Sequence, residues 1–285
     1  MKKINKFILL SSPIITPLLT ISLVSCIESN QNVLEAEIPG GFKFIPSTYD
    51  PKETKTANYI EFLLKKQFRN NEVEKAKFLK NQQDEKKLFE EIKKISEDYK
   101  NNKLDFELSK KFINDIKNFY SKNWLFMLKN IEKFNWQHLE WWKFEPTENA
   151  KHSDEFLNKL SELSNADDYF FYTNYWDELK EGDESAESPN DVFYLKKDKM
   201  IIRILISKNK EGNKSLFFDK IILFPKARNN KIVIKLISDT VHNAIIHHFQ
   251  AGYDTFEKDI FKNFGHPALG LLLVKENKGE NNENK

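Results

Sequence analysis

Apolar residues recur at three- and four-residue steps from about Glu53 to Asn130, the period of helices that bury one face. Tyr59, Phe62 and Leu63 open the pattern, Val73, Ala76 and Leu79 extend it, and Leu88, Ile92, Ile95 and Tyr99 repeat it. The cleanest stripe is Ile113, Ile116, Tyr120, Trp124, Met127 and Ile131, at steps of 3, 4, 4, 3 and 4. Alanine is scarce and phenylalanine plentiful, so these helices must depend on packing more than on propensity. A polar, acidic stretch from Asp177 to Asp191, with Gly182 and Pro189 and little that could be buried, then interrupts the chain.

Beyond it the pattern changes to β-branched and aromatic runs: Val192 to Leu195, Met200 to Ile206, Leu216 to Phe224 and Lys231 to Ile237. The turns between them are short, which requires antiparallel neighbours and predicts a four-stranded meander. Arg203, Asp219, Lys220 and Lys235 among the apolar residues predict one incompletely covered sheet face. Ser238 or Asp239 can cap a last helix with the stripe Val241, Ile245, His248, Gly252 and Phe256, bent near Gly252 and ended by Gly265 and Pro267. Ala268 to Val274 is apolar enough to dock back on the sheet. The expected fold class is therefore α+β: a helical N-terminal half, an antiparallel four-stranded meander and a C-terminal helix. One globular domain spans residues 53–274, helical over 53–176 and sheet plus helix over 191–274, and residues 275–285 form a disordered tail.

The N-terminus carries a different signal. Lys2, Lys3 and Lys6 precede an apolar stretch from Phe7 to Val24, and Leu23-Val24-Ser25-Cys26 ends it with the one cysteine of the 285-residue chain. This resembles the lipobox of bacterial lipoproteins, which implies lipid transfer to the Cys26 sulfur and removal of residues 1–25 as a signal peptide. An uncleaved anchor helix fits less well, because Pro13, Pro17 and several hydroxyl residues interrupt the apolar run. A buried structural cysteine fits less well again, since Cys26 lies ahead of any core. Two acyl chains hold a protein on a bilayer where one holds it marginally. Residues 26–52, with Pro39-Gly40-Gly41, Pro46 and Pro51, read as a flexible tether. The expected location is the extracellular face of the cell membrane.

The formal net charge of +2 falls to −1 when the three signal lysines leave, which is not the footprint of a nucleic-acid binder. No nucleic-acid partner is expected. Lysine outnumbers arginine heavily, with Arg69, Arg203 and Arg228 as the only arginines, a bias typical of AT-rich genomes.

Four of the five tryptophans fall between Trp124 and Trp142, with Phe119, Tyr120, Phe134 and Phe144 around them. Flat aromatic faces can stack on sugars, bases or a partner's side chains, yet Trp124 and Met127 share the helical stripe and belong with the core. Adjacent Trp141 and Trp142 cannot both face inward along one element, so Trp136, Trp141 and Trp142 are the candidate contacts. The string from Asn123-Trp124 through Asn130-Ile131, Phe134, Trp136 and Trp141-Trp142 resembles the signature of the aromatic-motif, or aromatic-cluster, membrane proteins of mycoplasmas. It covers only about 20 residues. The resemblance implies a surface protein, not an enzyme, and a link to systems that capture and cleave host immunoglobulin.

Catalytic and metal motifs are not apparent. His242 and His247 stand five residues apart, which in an α-helix places them on different sides, and the four-residue step of the zinc motif is missing. His248 lies on the apolar stripe and reads as a core or interface histidine. His152-Ser153-Asp154 reads as a helix cap before Phe156. Asp167-Asp168 and the acidic stretch lack the ligand alternation of a calcium loop, and no glycine-rich phosphate cradle is present. No metal, cofactor or catalytic residue is expected. The expected function is a lipid-anchored, non-enzymatic binding protein whose partners are the membrane, through Cys26, and a host or neighbouring surface protein. The rivals are a surface hydrolase built from His242, His248, Asp239 and Asp168, and a nutrient-binding lipoprotein that stacks a sugar or nucleoside on Trp141 or Trp142.

Overall fold

The computed structural model describes residues 51–274 except 211, 229 and 230, together with the backbone of Glu37–Ile38 and Phe42–Lys43. Those two short strands, β1 and β2, pair antiparallel in a unit separate from the one that follows. Cys26, the expected signal peptide, most of the expected tether and the expected C-terminal tail lie outside the described residues.

Four helices open the main unit: α1 (Pro51–Phe68), α2 (Glu72–Asn81), α3 (Glu85–Asn102) and α4 (Phe106–Lys129). Asn71, Asp84 and Asp105 cap the last three, each accepting a backbone N–H three residues on, at 3.2, 3.2 and 2.9 Å. Helix α4 is broken at Asn123 (φ −126°, ψ 29°). The buried Gln82 side chain fills the break: its amide donates to Lys122 O and Asn123 Oδ1, and its Oε1 accepts from Phe126 N at 3.2 Å. The kink therefore leaves no buried amide orphaned.

The sheet has seven antiparallel strands in the order β4-β3-β9-β8-β7-β6-β5. They are β3 (Phe134–Trp141), β4 (Tyr169–Phe170), β5 (Glu178–Glu181), β6 (Asp191–Lys197), β7 (Met200–Lys208), β8 (Lys214–Leu223) and β9 (Ala268–Val274). Three of the four expected meander strands are β6, β7 and β8. The fourth is not a strand: α6 (Ile234–Val241) starts inside Lys231–Ile237, and β9 takes the place beside β8. Ile232, Ile234, Ile237 and Val241 are all buried, so packing decides a segment whose β-branched content alone suggests a strand. The helical run likewise stops at Lys129 instead of reaching residue 176, and β3 is the second strand of the sheet.

Both faces of the sheet are covered. Phe193, Leu195, Ile202 and Ile204 pack with α1, α3 and α4 in one core. Val192, Tyr194, Ile201 and Ile222 pack in a second core with α5 (Asp154–Ser161), α6 and the helical segment from Gln250 to Phe264, whose first part is α7 (Gln250–Thr255). The expectation of one open face fails because Arg203 is 8% exposed and paired, with Glu184 Oε1 at 3.0 Å and Asp219 Oδ2 at 2.6 Å. Glu184 itself is fully buried, from the acidic stretch expected to hold little that could be buried, and it also accepts from the Tyr194 hydroxyl and from Ser238 Oγ at 2.8 Å. Every lone pair the carboxylate needs filled is filled, which is what makes a buried charge tolerable. Ser238 is thus spent on this network and does not cap a helix.

Candidate functional site

The aromatic cluster divides between the two cores. Trp124 is buried against Phe78 and donates from Nε1 to Gln67 Oε1 at 2.8 Å; Trp176 is buried and donates to Leu128 O at 3.1 Å. Trp136 (1% exposed) lies in the core under α1–α4, and Trp142 (1% exposed) lies in the opposite core against Phe144 and Phe256. A six-residue step along a regular strand keeps one face. Here the register of β3 on β9 slips between His138 and Glu140, so Leu139 is an extra residue and the alternation flips. Of the three candidate contacts, Trp136 and Trp142 are therefore inaccessible packing residues, and Trp141 alone keeps part of its ring in reach of solvent.

Trp141 closes β3 opposite Ala268 and meets the His266 ring edge-on at 6.3 Å. It lines a groove of about 320 Å³, near the lower end of the range for small-ligand sites. Trp142, Phe144, Ala244 and Leu269 give the groove an apolar floor, while Glu140, Lys143, Lys220 and His248 ring it with charge and hydrogen-bonding groups. One wall is the segment after α6. Residues His242–Ile246 form a π turn, and His248 then adopts φ 54°, so the chain breaks there and not at the predicted Gly252. A Cβ on Gly252 would lie 2.5 Å from Ala244 N; glycine is what lets α7 close on the π turn. His248, expected in the core or at an interface, is exposed at the groove's edge, so the core alternative fails.

The segment Phe144–Ser153 is clipped over the second core by Glu257. Its carboxylate takes His152 Nδ1 at 2.8 Å, Ser153 N at 2.9 Å and Ser153 Oγ at 2.7 Å. His152 Nε2 accepts from Phe144 N at 3.0 Å, so Nδ1 carries the proton, and burial holds the imidazole below its usual pKa against the opposing pull of Glu257. Ser153 caps α5 by accepting from Phe156 N, as the spacing predicts. A wider, more polar hollow of about 960 Å³ lies between the α1–α2 turn and the β7–β8 turn, lined by Phe68, Arg69, Asn71, Lys77, Phe78 and Lys214.

The four residues of the hydrolase alternative do not converge. Asp168 accepts from Asn135 and Gln137 on β3. Asp239 pairs with Lys235 at 2.8 Å and shares a hydrogen bond with Asp183, which holds the Asp183 carboxyl below the usual range while partial burial and Asp183 push that of Asp239 up. His248 edges the Trp141 groove. His242 instead meets His247, Nε2 to Nε2 at 2.8 Å, with Glu187 Oε1 3.4 and 3.7 Å from the two nitrogens. Glu187 and the His242–His247 pairing went unseen in the sequence because the five-residue step was read as α-helical. Among the described residues this is the one group of three or more His, Cys, Asp or Glu with metal-ligand spacing. No described helix is long and apolar enough to cross a membrane.

The model of one protein family, described as aromatic cluster surface protein, matches residues 38–265, and the chain belongs to that family. No curated protein and no solved structure matches it.

Proposed function

From membership of an aromatic cluster surface family, we propose that the protein is a lipid-anchored binding protein, held on the outer membrane face through Cys26, whose contact surface is the Trp141 groove. The observation that carries the reading is the groove itself. It sets one part-exposed tryptophan above an apolar floor, beside exposed Ile245 (38%), inside a charged rim. An aromatic anchor beside a desolvated floor, ringed by polar groups, is the arrangement that concentrates binding energy in protein contacts. The partner class is a host protein, with immunoglobulin as the first candidate on the family resemblance.

The test is binding of the purified full-length chain to immobilised immunoglobulin. Trp141→Ala should weaken binding about tenfold or more, as loss of a central aromatic anchor does. Phe106→Ala, on the exposed start of α4, should not change it. Equal binding by the Trp141 variant, or hydrolysis of the immunoglobulin by the chain acting alone, would contradict the reading.

A further inference from the structure

In an α-helix five residues turn the side chain through about 500°, so His242 and His247 would point about 140° apart. Residues His242–Ile246 are not α-helical: His247 N donates to His242 O at 3.2 Å, an i to i+5 bond that widens the turn and brings the five-residue step closer to one full turn. The rings consequently face each other with centroids 4.6 Å apart. Such turns are rare and gather at functional sites. This one places the only two closely spaced imidazole nitrogens of the described residues where a carboxylate from another segment reaches them.

That carboxylate is Glu187, on the loop between β5 and β6. The three atoms His242 Nε2, His247 Nε2 and Glu187 Oε1 stand 2.8, 3.4 and 3.7 Å apart. Ligands at about 2.0–2.1 Å from one tetrahedral ion stand roughly 3.3 Å from each other, so a single point lies within bonding reach of all three. Two nitrogen lone pairs directed at each other can share only one hydrogen; a cation between them engages both. Asp183, close enough to His242 to feel its charge, adds negative potential beside the group.

We propose that Glu187, His242 and His247 bind a divalent transition-metal ion of the zinc class. Two imidazoles and one carboxylate match zinc, copper or nickel, whereas calcium and magnesium require oxygen ligands in larger number. Three protein ligands leave a fourth position open to water or to a partner's donor. His242 Nδ1 is buried without a hydrogen-bond partner, so no carboxylate behind that ring strengthens it as a ligand. Lack of such support costs about 10–100-fold in affinity, which makes the site an exchangeable one. The bound ion ties the loop of Glu187 to the π turn, and the same turn supplies Ala244 and Ile245 to the groove wall. The assignment stands whether or not the groove binds protein.

The experiment is calorimetric titration of the chelator-stripped full-length chain with zinc chloride, with cobalt absorption reporting coordination geometry. Wild type should bind one equivalent tightly enough to follow at micromolar protein, give the visible bands of tetrahedral cobalt, and melt about 5 °C higher at saturation. His247→Ala and Glu187→Gln, both at positions with substantial solvent exposure, should each weaken binding about tenfold or more with unchanged circular dichroism. Wild-type affinity in both variants, or no heat and no cobalt spectrum from folded wild type at about 1 mM metal, would overturn the site.

Discussion

His266 packs its ring 3.7 Å from that of Phe261 and also stacks on Phe156, and burial pushes its pKa down to about 4, with Lys226 and Lys159 acting in the same direction. The unfolded chain takes up this proton near pH 6.5, while the folded chain refuses it until about pH 4. Stability contributed by the neutral ring is therefore complete above about pH 6.5 and is lost as pH falls towards 4. Burial lowers His138 and His152 as well, in the same sense. Urea midpoints should fall between about pH 7 and pH 4.5, and His266→Asn should show a smaller fall than wild type. An identical fall would remove His266 from the account. Glu184→Gln removes one of the two carboxylates on buried Arg203, and loss of that charged hydrogen bond should cost about 1.5–3 kcal/mol, readable as a lowered denaturant midpoint.

Two irregular elements decide where the functional side chains point. The extra residue in β3 sends Trp136 and Trp142 to opposite cores, and the π turn after α6 brings His242 onto His247. Neither could be read from the chain, because periodicity assumes regular periods of 2 and 3.6 and both elements depart from them. The helical character of residues 53–130 was legible from its apolar stripes, of which those of α3 and α4 are buried in the structure. The strands β6, β7 and β8 were legible from their turns. Lys231–Ile237 was not, because Ile-Val-Ile suits a strand and a buried helix face alike. The seven-strand order was hidden as well: Ala268–Val274 was legible as a segment that returns to the sheet, but nothing local announces its pairing with the distant β3. The close approach of α7 to the π turn yields a test at this scale. Gly252→Ala sets a methyl 2.5 Å from Ala244 N and should destabilise the protein by about 1–3 kcal/mol in urea unfolding; an unchanged midpoint would mean that α7 does not close on the turn.

At the scale of the main unit, two helical layers cover the two faces of one sheet, and the aromatic residues that characterise the chain mostly hold those layers together. The proposed contact is what remains of the cluster at the surface: Trp141, with exposed Ile245 on the same groove. Anchoring belongs to this scale too. Cys26→Ser should abolish incorporation of labelled fatty acid, because the thiol is the site of lipid transfer, and undiminished labelling would contradict the anchor. The central claim, that the Trp141 groove is where the protein meets its partner, is tested most directly by amide hydrogen exchange on the full-length chain with and without immunoglobulin. The account predicts slowed exchange in residues 140–147 and 244–253, with the α1–α2 turn unchanged. Protection confined to the hollow beside Arg69 and Lys77, with the groove exchanging as in the free protein, would contradict it.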